Sequence, residues 1–217
     1  MISPAFSGTN LTCLRGERLV FVGLEFSLET GGALLLAGPN GSGKSSLLRL
    51  MTLLLKPFCG DLFWRGETVT NDPDGHRARL RYIGHLDGIK PVLTAQESLS
   101  FWAALDGMPD PRHRAESALE RVGLERLALV PGRYLSAGQK RRLNLARLLL
   151  APAPLWLLDE PTNGLDVAAT ALLEDELAAH RAAGGMVVAS THTKLALDEV
   201  VTLRLDDFTP EYAQEEA

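Results

Sequence analysis

The sequence predicts an α/β fold in which a mostly parallel central sheet carries an antiparallel β subdomain and a helical subdomain. Three short apolar runs, Ala33–Ala37, Leu155–Leu158 and Met186–Ser190, have the length and composition of strands that are buried on both faces. A glycine-rich loop follows the first run, and residues 46–51 after that loop have a helical pattern. Because a strand that leads through a short loop into a helix is the repeating unit of parallel sheets, this order favours the α/β class.

The two subdomains are predicted from turn signals and from hydrophobic periodicity. Residues 1–30 and 58–72 contain strand-like segments separated by glycine-containing turns, which predicts antiparallel strand pairs. From about residue 95 to about residue 128 the apolar side chains recur at helical spacing. We therefore predict one domain over residues 1–217, with the helical subdomain inserted at about 90–135.

Composition narrows the possible functions. Apolar residues make up 46% of the 217 residues, and the net charge of −5 with a pI of about 5.6 argues against a nucleic-acid partner. No apolar run reaches the about 18 residues that a membrane helix needs, and the first residues lack the pattern of a secretory signal. Cys13 and Cys59 lie far apart without metal-site spacing, so reduced cytosolic thiols are expected.

The glycine-rich loop matches the phosphate-binding pattern G-x-x-x-x-G-K-[ST]. Its glycines let successive backbone N–H groups point at phosphate oxygens, and the helix end that follows adds partial positive charge. We expect Lys44 to reach the β- and γ-phosphates and Ser45 to ligate Mg²⁺. The predicted nucleotide-binding residues of this segment are Gly38, Pro39, Asn40, Gly41, Ser42, Gly43, Lys44, Ser45 and Ser46.

Two acids end the second apolar run. Asp159 would lie at the carboxyl end of a central strand, where ligands bind in open α/β sheets, and an oxygen ligand there suits Mg²⁺. Glu160 is the candidate general base for an attacking water. An acidic pair after a strand could otherwise cap a helix, but its combination with Lys44 and Ser45 favours the catalytic interpretation.

Four further strings, in this order along the chain, resemble the motifs of ATP-binding-cassette (ABC) ATPases. They are Leu135-Ser136-Ala137-Gly138-Gln139, similar to the signature LSGGQ, then Asp159-Glu160-Pro161-Thr162, Asn163-Gly164-Leu165-Asp166 and Thr191-His192. The resemblance implies the P-loop NTPase fold of an ABC ATPase, with ATP and Mg²⁺ as ligands. It also implies an ATP-dependent homodimer, in which the signature of one copy caps the nucleotide of the other. By the same resemblance, Asp166 belongs to the D-loop and His192 contacts the γ-phosphate and orients the catalytic water.

The residues around the signature agree with such a role. Ser136 can cap the following helix and Gly138 allows close backbone approach, so free N–H groups and the helix dipole would face an anion. Lys140, Arg141 and Arg142 come next, and we expect them to form a solvated helix face rather than to contact phosphate.

Three of the other histidines, His76, His113 and His180, are predicted to have no functional role. A lone histidine is usually structural, and we expect His76, His113 and His180 to face solvent.

Two positions depart from the family pattern. Where the family usually has an aromatic side chain that stacks on adenine, this chain has Arg15, which could stack its guanidinium plane on the base, or adenine is held loosely. The glutamine that the family places after the strand near Tyr82 is matched by Leu86, which cannot ligate a metal. His85 or Asp87 could substitute, whereas Gln96 is expected to belong to the next helix.

One segment resembles a particular branch of the family. Residues 84–90, GHLDGIK, and residues 93–99, LTAQESL, are similar to the ATP-binding subunit of the cytochrome c maturation (heme exporter) system. That resemblance implies a peripheral ATPase on the cytoplasmic side of the inner (plasma) membrane, which drives membrane-spanning permease subunits in heme export or in release of a heme-loaded chaperone. No heme is expected to bind this chain directly, since it contains no C-x-x-C-H.

Other functions are compatible with the same motifs. One is the ATPase subunit of another small ABC exporter, and a second is a soluble, non-transport ABC mechanoenzyme of DNA repair or translation. Mechanoenzymes usually carry coiled-coil insertions or two cassettes, so one compact acidic cassette counts against that class. A regulatory module without turnover is the third, and Glu160 counts against it because inactive modules tend to lack this acid.

Overall fold

The computed structural model describes residues 4–192 and 195–210, and they form two compact units. The first unit is drawn from Met1–Tyr82, Ala153–Asp159 and His180–Ala217, and the second from Ile83–Pro152 and Glu160–Ala179. The predicted subdivision of the chain, with a helical insertion at about 90–135, stays a prediction.

Strands lie at the positions expected from the apolar runs and turn signals, and a further strand over Val200–Arg204 was not predicted. The strands are β1 (Phe6–Arg15), β2 (Arg18–Leu28), β3 (Ala33–Ala37), β4 (Cys59–Trp64), β5 (Glu67–Thr68), β6 (Leu80–Ile83), β7 (Leu155–Asp159), β8 (Met186–Ser190) and β9 (Val200–Arg204). The helices are α1 (Lys44–Met51), α2 (Pro73–Ala78), α3 (Ala95–Leu105), α4 (Pro111–Arg121), α5 (Ala137–Leu145) and α6 (Val167–Ala182). Short 3₁₀ turns occupy Val69–Asn71, Glu125–Leu127, Gly132–Tyr134, Ala146–Leu149 and Leu205–Phe208.

The predicted mostly parallel sheet is confirmed. It has five strands in the order β6-β7-β8-β3-β9, and the β7–β8, β8–β3 and β3–β9 pairs are parallel. Every residue of β7 and β8 is buried, as expected for strands covered on both faces. Because parallel strands end at the same edge, the loops after β3, β7 and β8 all leave the sheet there.

The antiparallel sheet has the order β2-β1-β4-β5 and shares one apolar core with α1 and the central strands. Its largest buried side chains include Phe6 and Phe21, neither of which is exposed to solvent. Burial of such a side chain contributes roughly 1.5–3 kcal/mol. This core holds the β1–β2 hairpin and α1 in one rigid unit.

A separate apolar core holds the second unit together. Leu99 of α3, Leu119 of α4 and Leu143 of α5 are among its buried residues. Helix α3 begins with a complete capping box, in which Thr94 accepts from the Glu97 N–H and Glu97 accepts from the Thr94 N–H. The helical pattern predicted for this part of the chain is therefore correct.

The prediction that three histidines face solvent was wrong for His180, whose ring stacks on that of Trp156 with centroids 3.8 Å apart, and for His76. His76 lies in the interior of the first unit. The ring is fully buried, stacks on Phe6 with centroids 5.8 Å apart, and its Nε2 lies 2.8 Å from the Met51 carbonyl oxygen. Burial lowers the pKa of His76, and Arg79 and Arg77 lower it further, whereas the bond to Met51 and the charge of Asp72 raise it. The fold therefore favours the neutral ring.

We expect acid to weaken the fold through His76. Because its folded pKa lies below the ordinary 6.5, the stabilisation is complete above that value and is lost as the pH falls towards the folded pKa. Urea unfolding at pH 8 and pH 5.5 should give a smaller difference in unfolding free energy for His76→Gln than for the unmodified protein. His113→Gln, at an exposed position, is the control. An unchanged pH difference in His76→Gln would contradict this account.

Candidate functional site

The loop between β3 and α1 has the conformation that its glycines predict. Gly38, Gly41 and Gly43 have φ values of +142°, +84° and +102°, which side-chain-bearing residues rarely adopt. A Cβ at Gly43 would lie 2.6 Å from Val20 and 3.0 Å from Phe21. The loop therefore packs directly against the β1–β2 hairpin, and a larger residue at Gly43 would push the two apart.

Lys44 is the first residue of α1 and is buried. Its Nζ donates to the carbonyl oxygens of Gly38 at 2.7 Å and Pro39 at 3.0 Å, so the ammonium lies over the loop. The buried Ser42 Oγ has no hydrogen-bond partner among the described residues. A concave loop with a cation, a free hydroxyl and a helix N-terminus fits a phosphate group.

Asp159 joins the loop helix to the strand ends. Its Oδ1 accepts from Ser45 Oγ at 3.0 Å and from Ser190 Oγ at 2.8 Å, and the residue is 2% exposed. Asp159 and Ser190 are register partners in the β7–β8 pair, so the sheet itself sets this contact. One carboxylate and two hydroxyls form an oxygen-rich cluster, which is the chemistry that suits Mg²⁺.

The charge of the same carboxylate affects the pKa of Tyr82, near the end of β6. Burial raises the pKa of the Tyr82 hydroxyl, and the charge of Asp159 raises it further, while a hydrogen bond with Arg49 lowers it. The phenol therefore remains neutral near Asp159 at physiological pH.

The remaining candidates of the first unit lie at its surface. His192 is exposed and follows β8 by two residues, which places it beyond the strand end that carries Ser190. Arg15 is exposed at the β1–β2 turn and pairs with Arg18. Since side chains alternate along a strand, Arg18 shares a face with Val20, which contacts the phosphate loop. Arg15 as the adenine contact stays a prediction.

The signature residues occupy the N-terminus of α5 in the second unit. Ser136 Oγ accepts from the Gln139 N–H at 3.3 Å, and Gln139 Oε1 accepts from the Ser136 N–H at 2.9 Å, which completes a capping box. The predicted cap at Ser136 is therefore confirmed. Ala137 is exposed, and a Cβ on Gly138 would lie 3.0 Å from the Gly164 carbonyl oxygen. The signature and the predicted D-loop of one chain are thus in close contact.

Glu160 has an unusual backbone conformation, and Asp166 caps a helix. Glu160 has a φ of +50°, an unusual conformation for a residue with a side chain. Asp166 precedes α6, where its Oδ1 accepts from the Ala169 N–H at 2.8 Å as a helix cap. Asp166 therefore has a structural role in addition to the one predicted from the family.

The loop after β6 contains Leu86, His85 and Asp87, and which of them takes the place of the family's glutamine stays a prediction. Leu86 is 84% exposed, whereas Asp87 Oδ1 lies 3.5 Å from Arg141 Nη1. Gln96 lies in α3, as predicted, and its amide donates to Glu116.

The expectation that Lys140, Arg141 and Arg142 form a solvated face was wrong for Arg141. Arg141 is 4% exposed, and its guanidinium donates to the backbone carbonyls of Pro161 and Glu160. The face of helix α5 that carries Arg141 packs against loops. A run of charged residues in the sequence does not indicate that packing.

Ser190 was also missed. A serine at the end of an apolar run is an ordinary strand residue by sequence, and only the register between β7 and β8 brings it to Asp159. The sequence signal that could have found it is its place just before Thr191-His192.

Comparison with known proteins identifies the family. A family model described as ABC transporter matches residues 21–163. The chain is 58% identical over 210 residues to the cytochrome c biogenesis ATP-binding export protein CcmA of Rhodospirillum rubrum, covering 96% of this chain and 89% of the relative. It is 59% identical over 210 residues to the protein of the same name from Paramagnetospirillum magneticum, covering 96% and 97%. The chain belongs to the ABC transporter family. Within this family it is an ATP-binding subunit of CcmA type and an ABC-type ATPase.

Solved structures agree with the fold. The chain matches the ATP-binding protein of an ABC transporter from Pyrococcus furiosus with a TM-score of 0.82 at 23% identity, covering 94% of this chain and 99% of that one. It also matches cbiO1 of Clostridium perfringens, with a TM-score of 0.74 at 24% identity over 88% and 79% of the two chains. These likenesses confirm the predicted P-loop ABC fold.

We expect Lys44→Ala to lower ATP hydrolysis at least about 100-fold, because the phosphates lose their cation in a buried loop. The control is Lys56→Ala, which removes an exposed lysine beyond α1 and should hydrolyse ATP normally. Phosphate release at saturating ATP is the measurement. Turnover by Lys44→Ala close to that of the control would show that the loop does not bind the phosphates.

Proposed function

We propose that this chain is the ATP-hydrolysing subunit of the cytochrome c biogenesis export system, and that it energises heme export or release of a heme-loaded chaperone by membrane partners. The observation that carries the proposal is the identity of 58–59% with proteins named cytochrome c biogenesis ATP-binding export protein, over 96% of the chain.

The proposed chemistry is attack of water on the γ-phosphorus of ATP. Glu160 takes the proton of that water as the bond between the γ-phosphorus and the bridging oxygen breaks, which gives ADP and phosphate. Lys44 and the backbone N–H groups of residues 40–43 hold the phosphate charge, and His192 orients the water. The buried position of Lys44 supports its part, since a cation acts more strongly away from solvent.

We assign Mg²⁺ binding to Ser45 and Asp159. Their side chains are already hydrogen-bonded to each other at the mouth of the phosphate loop, so both oxygens are placed for one ion. Ser45 and Asp159 would hold the ion, which would supply positive charge to neutralise the phosphates of the bound nucleotide. Ser190 keeps the Asp159 carboxylate oriented towards Ser45.

The active form in this proposal is a dimer closed by ATP. The N-terminus of α5 presents Ser136, Ala137, Gly138 and Gln139, and such an end attracts an anion. In the dimer this end would face the γ-phosphate held by the other copy, and Asp166 would lie in the D-loop between the two sites.

Membrane attachment in this proposal comes from partner subunits. In the described part of the chain, no helix has both the length and the apolar character that a bilayer crossing requires. The chain would therefore bind permease subunits peripherally, on the cytoplasmic side of the inner membrane. Exposed Leu86 and Val92, in and after the loop that follows β6, are candidates for that contact.

We expect Glu160→Gln to bind ATP, lose hydrolysis and accumulate as a dimer with ATP and Mg²⁺, because the substrate stays in the closed site. Light scattering behind a sizing column gives the mass. Adding Ser136→Arg should return this variant to a monomer that still binds ATP, since a bulky cation blocks closure at the α5 end. A Glu160→Gln variant that remains monomeric would contradict the facing-pair arrangement.

Partners can be identified with the same trapped variant. Glu160→Gln is incubated with ATP and gently solubilised membranes, and the captured proteins are identified by mass spectrometry. Capture of multi-span proteins of cytochrome c maturation supports the proposal. Capture of an unrelated permease would keep the ATPase function and contradict the role in heme export. Capture of soluble partners alone would indicate a non-transport machine. Lys44→Ala is the control for capture that does not need bound nucleotide.

A further inference from the structure

The buried guanidinium of Arg141 is the least expected feature of the second unit. It donates from Nη2 to the Glu160 carbonyl at 2.6 Å, from Nε to the Pro161 carbonyl at 3.3 Å, and from Nη1 to the Gly84 carbonyl at 3.1 Å. One side chain on α5 thus holds the backbone of two loops, the one after β6 and the one after β7. The rigid fork of arginine suits several fixed acceptors at once, which a lysine ammonium cannot reach together.

The peptide that Arg141 holds is a strained one. Glu160 has a φ of +50°, and its carbonyl also accepts from the Asn163 N–H at 3.2 Å. Residues with side chains keep such a conformation only when their surroundings fix it. The short bond from Arg141 is one of the contacts that fix it, and it therefore helps to set the direction in which the Glu160 side chain leaves the backbone.

A second contact joins Arg141 to the loop in which the family's glutamine is absent. Asp87 Oδ1 lies 3.5 Å from Arg141 Nη1, and its side chain is 30% exposed while that of Arg141 is 5% exposed. The neighbouring Leu86 is turned outwards at 84% exposure. The Asp87 carboxylate, one residue after the position of the missing glutamine, thus points at the Arg141 guanidinium, which holds the backbone of Glu160.

We propose that Arg141 is a positioning residue for ATP hydrolysis, which fixes the backbone of Glu160 and connects it, through Gly84 and Asp87, to the loop after β6. In this chain the connection replaces the missing glutamine of that loop. A displacement of residues 84–87 changes the bonds of Arg141 and hence the orientation of Glu160. This role rests on the proposed function of Glu160 as the general base.

The test compares Arg141→Lys with Arg142→Lys in the purified full chain. Arg142 is the next residue on α5, and its guanidinium donates to more distant carbonyls at Val122 and Gly123, 3.4 and 3.5 Å away. We expect Arg141→Lys to lower kcat about 10- to 100-fold with KM for ATP and ATP affinity unchanged, since the base is misplaced and the phosphate loop is not. Arg142→Lys should retain the kcat of the unmodified protein.

Asp87→Asn provides a second variant that does not disturb a buried charge. It removes the partially exposed carboxylate, so we expect a decrease in kcat of about two- to fivefold with KM unchanged. If Arg141→Lys does not fold, this variant decides: a decrease in kcat alone supports the connection, and an unchanged kcat overturns it.

The outcomes separate the positioning role from the proposed function. Normal hydrolysis by Glu160→Gln would overturn the role of Glu160 and with it the role of Arg141. An inactive Glu160→Gln beside a fully active Arg141→Lys would overturn the positioning role alone. A parallel loss of kcat, ATP affinity and unfolding free energy in Arg141→Lys would show that Arg141 only holds the unit together, which also overturns the inference.

Discussion

The buried carboxylate of Asp159 is the interaction on which the nucleotide site depends. Transfer of such a charge from water is costly unless hydrogen bonds compensate it, and Ser45 and Ser190 both donate to Oδ1. Through them the carboxylate ties α1 to β7 and β8, whose parallel register already brings Asp159 level with Ser190. The position of the phosphate loop is therefore determined by the sheet and not by the loop alone.

The loop imposes its own constraint on the hairpin beside it. Gly43 lies so close to Val20 and Phe21 that no Cβ fits without displacement, and its φ of +102° excludes most other residues. The hairpin with Arg15 at its turn is thus held next to the phosphate site by packing.

Sequence reasoning predicted the features that short-range rules determine, and it missed those that arise from distant segments. Buried strands such as β7 appear as apolar runs, and the cap at Ser136 follows from residues three positions apart. Arg141 looks like part of a solvated charge run because its acceptors lie in loops 19 and 57 residues away. His76 was mispredicted for the same reason, since Met51 and Phe6, which enclose it, are remote in sequence.

In the proposed arrangement, the loop after β6 divides two functions between adjacent residues. Leu86 is directed to solvent and Asp87 to the buried Arg141, so one residue is available to a partner while the next contacts the group that holds Glu160. A glutamine at the first position could serve both the metal and the partner, whereas a leucine can serve only an apolar partner surface. In this arrangement Leu86 is left for the partner contact, and the loop acts on Glu160 through Asp87 and Arg141.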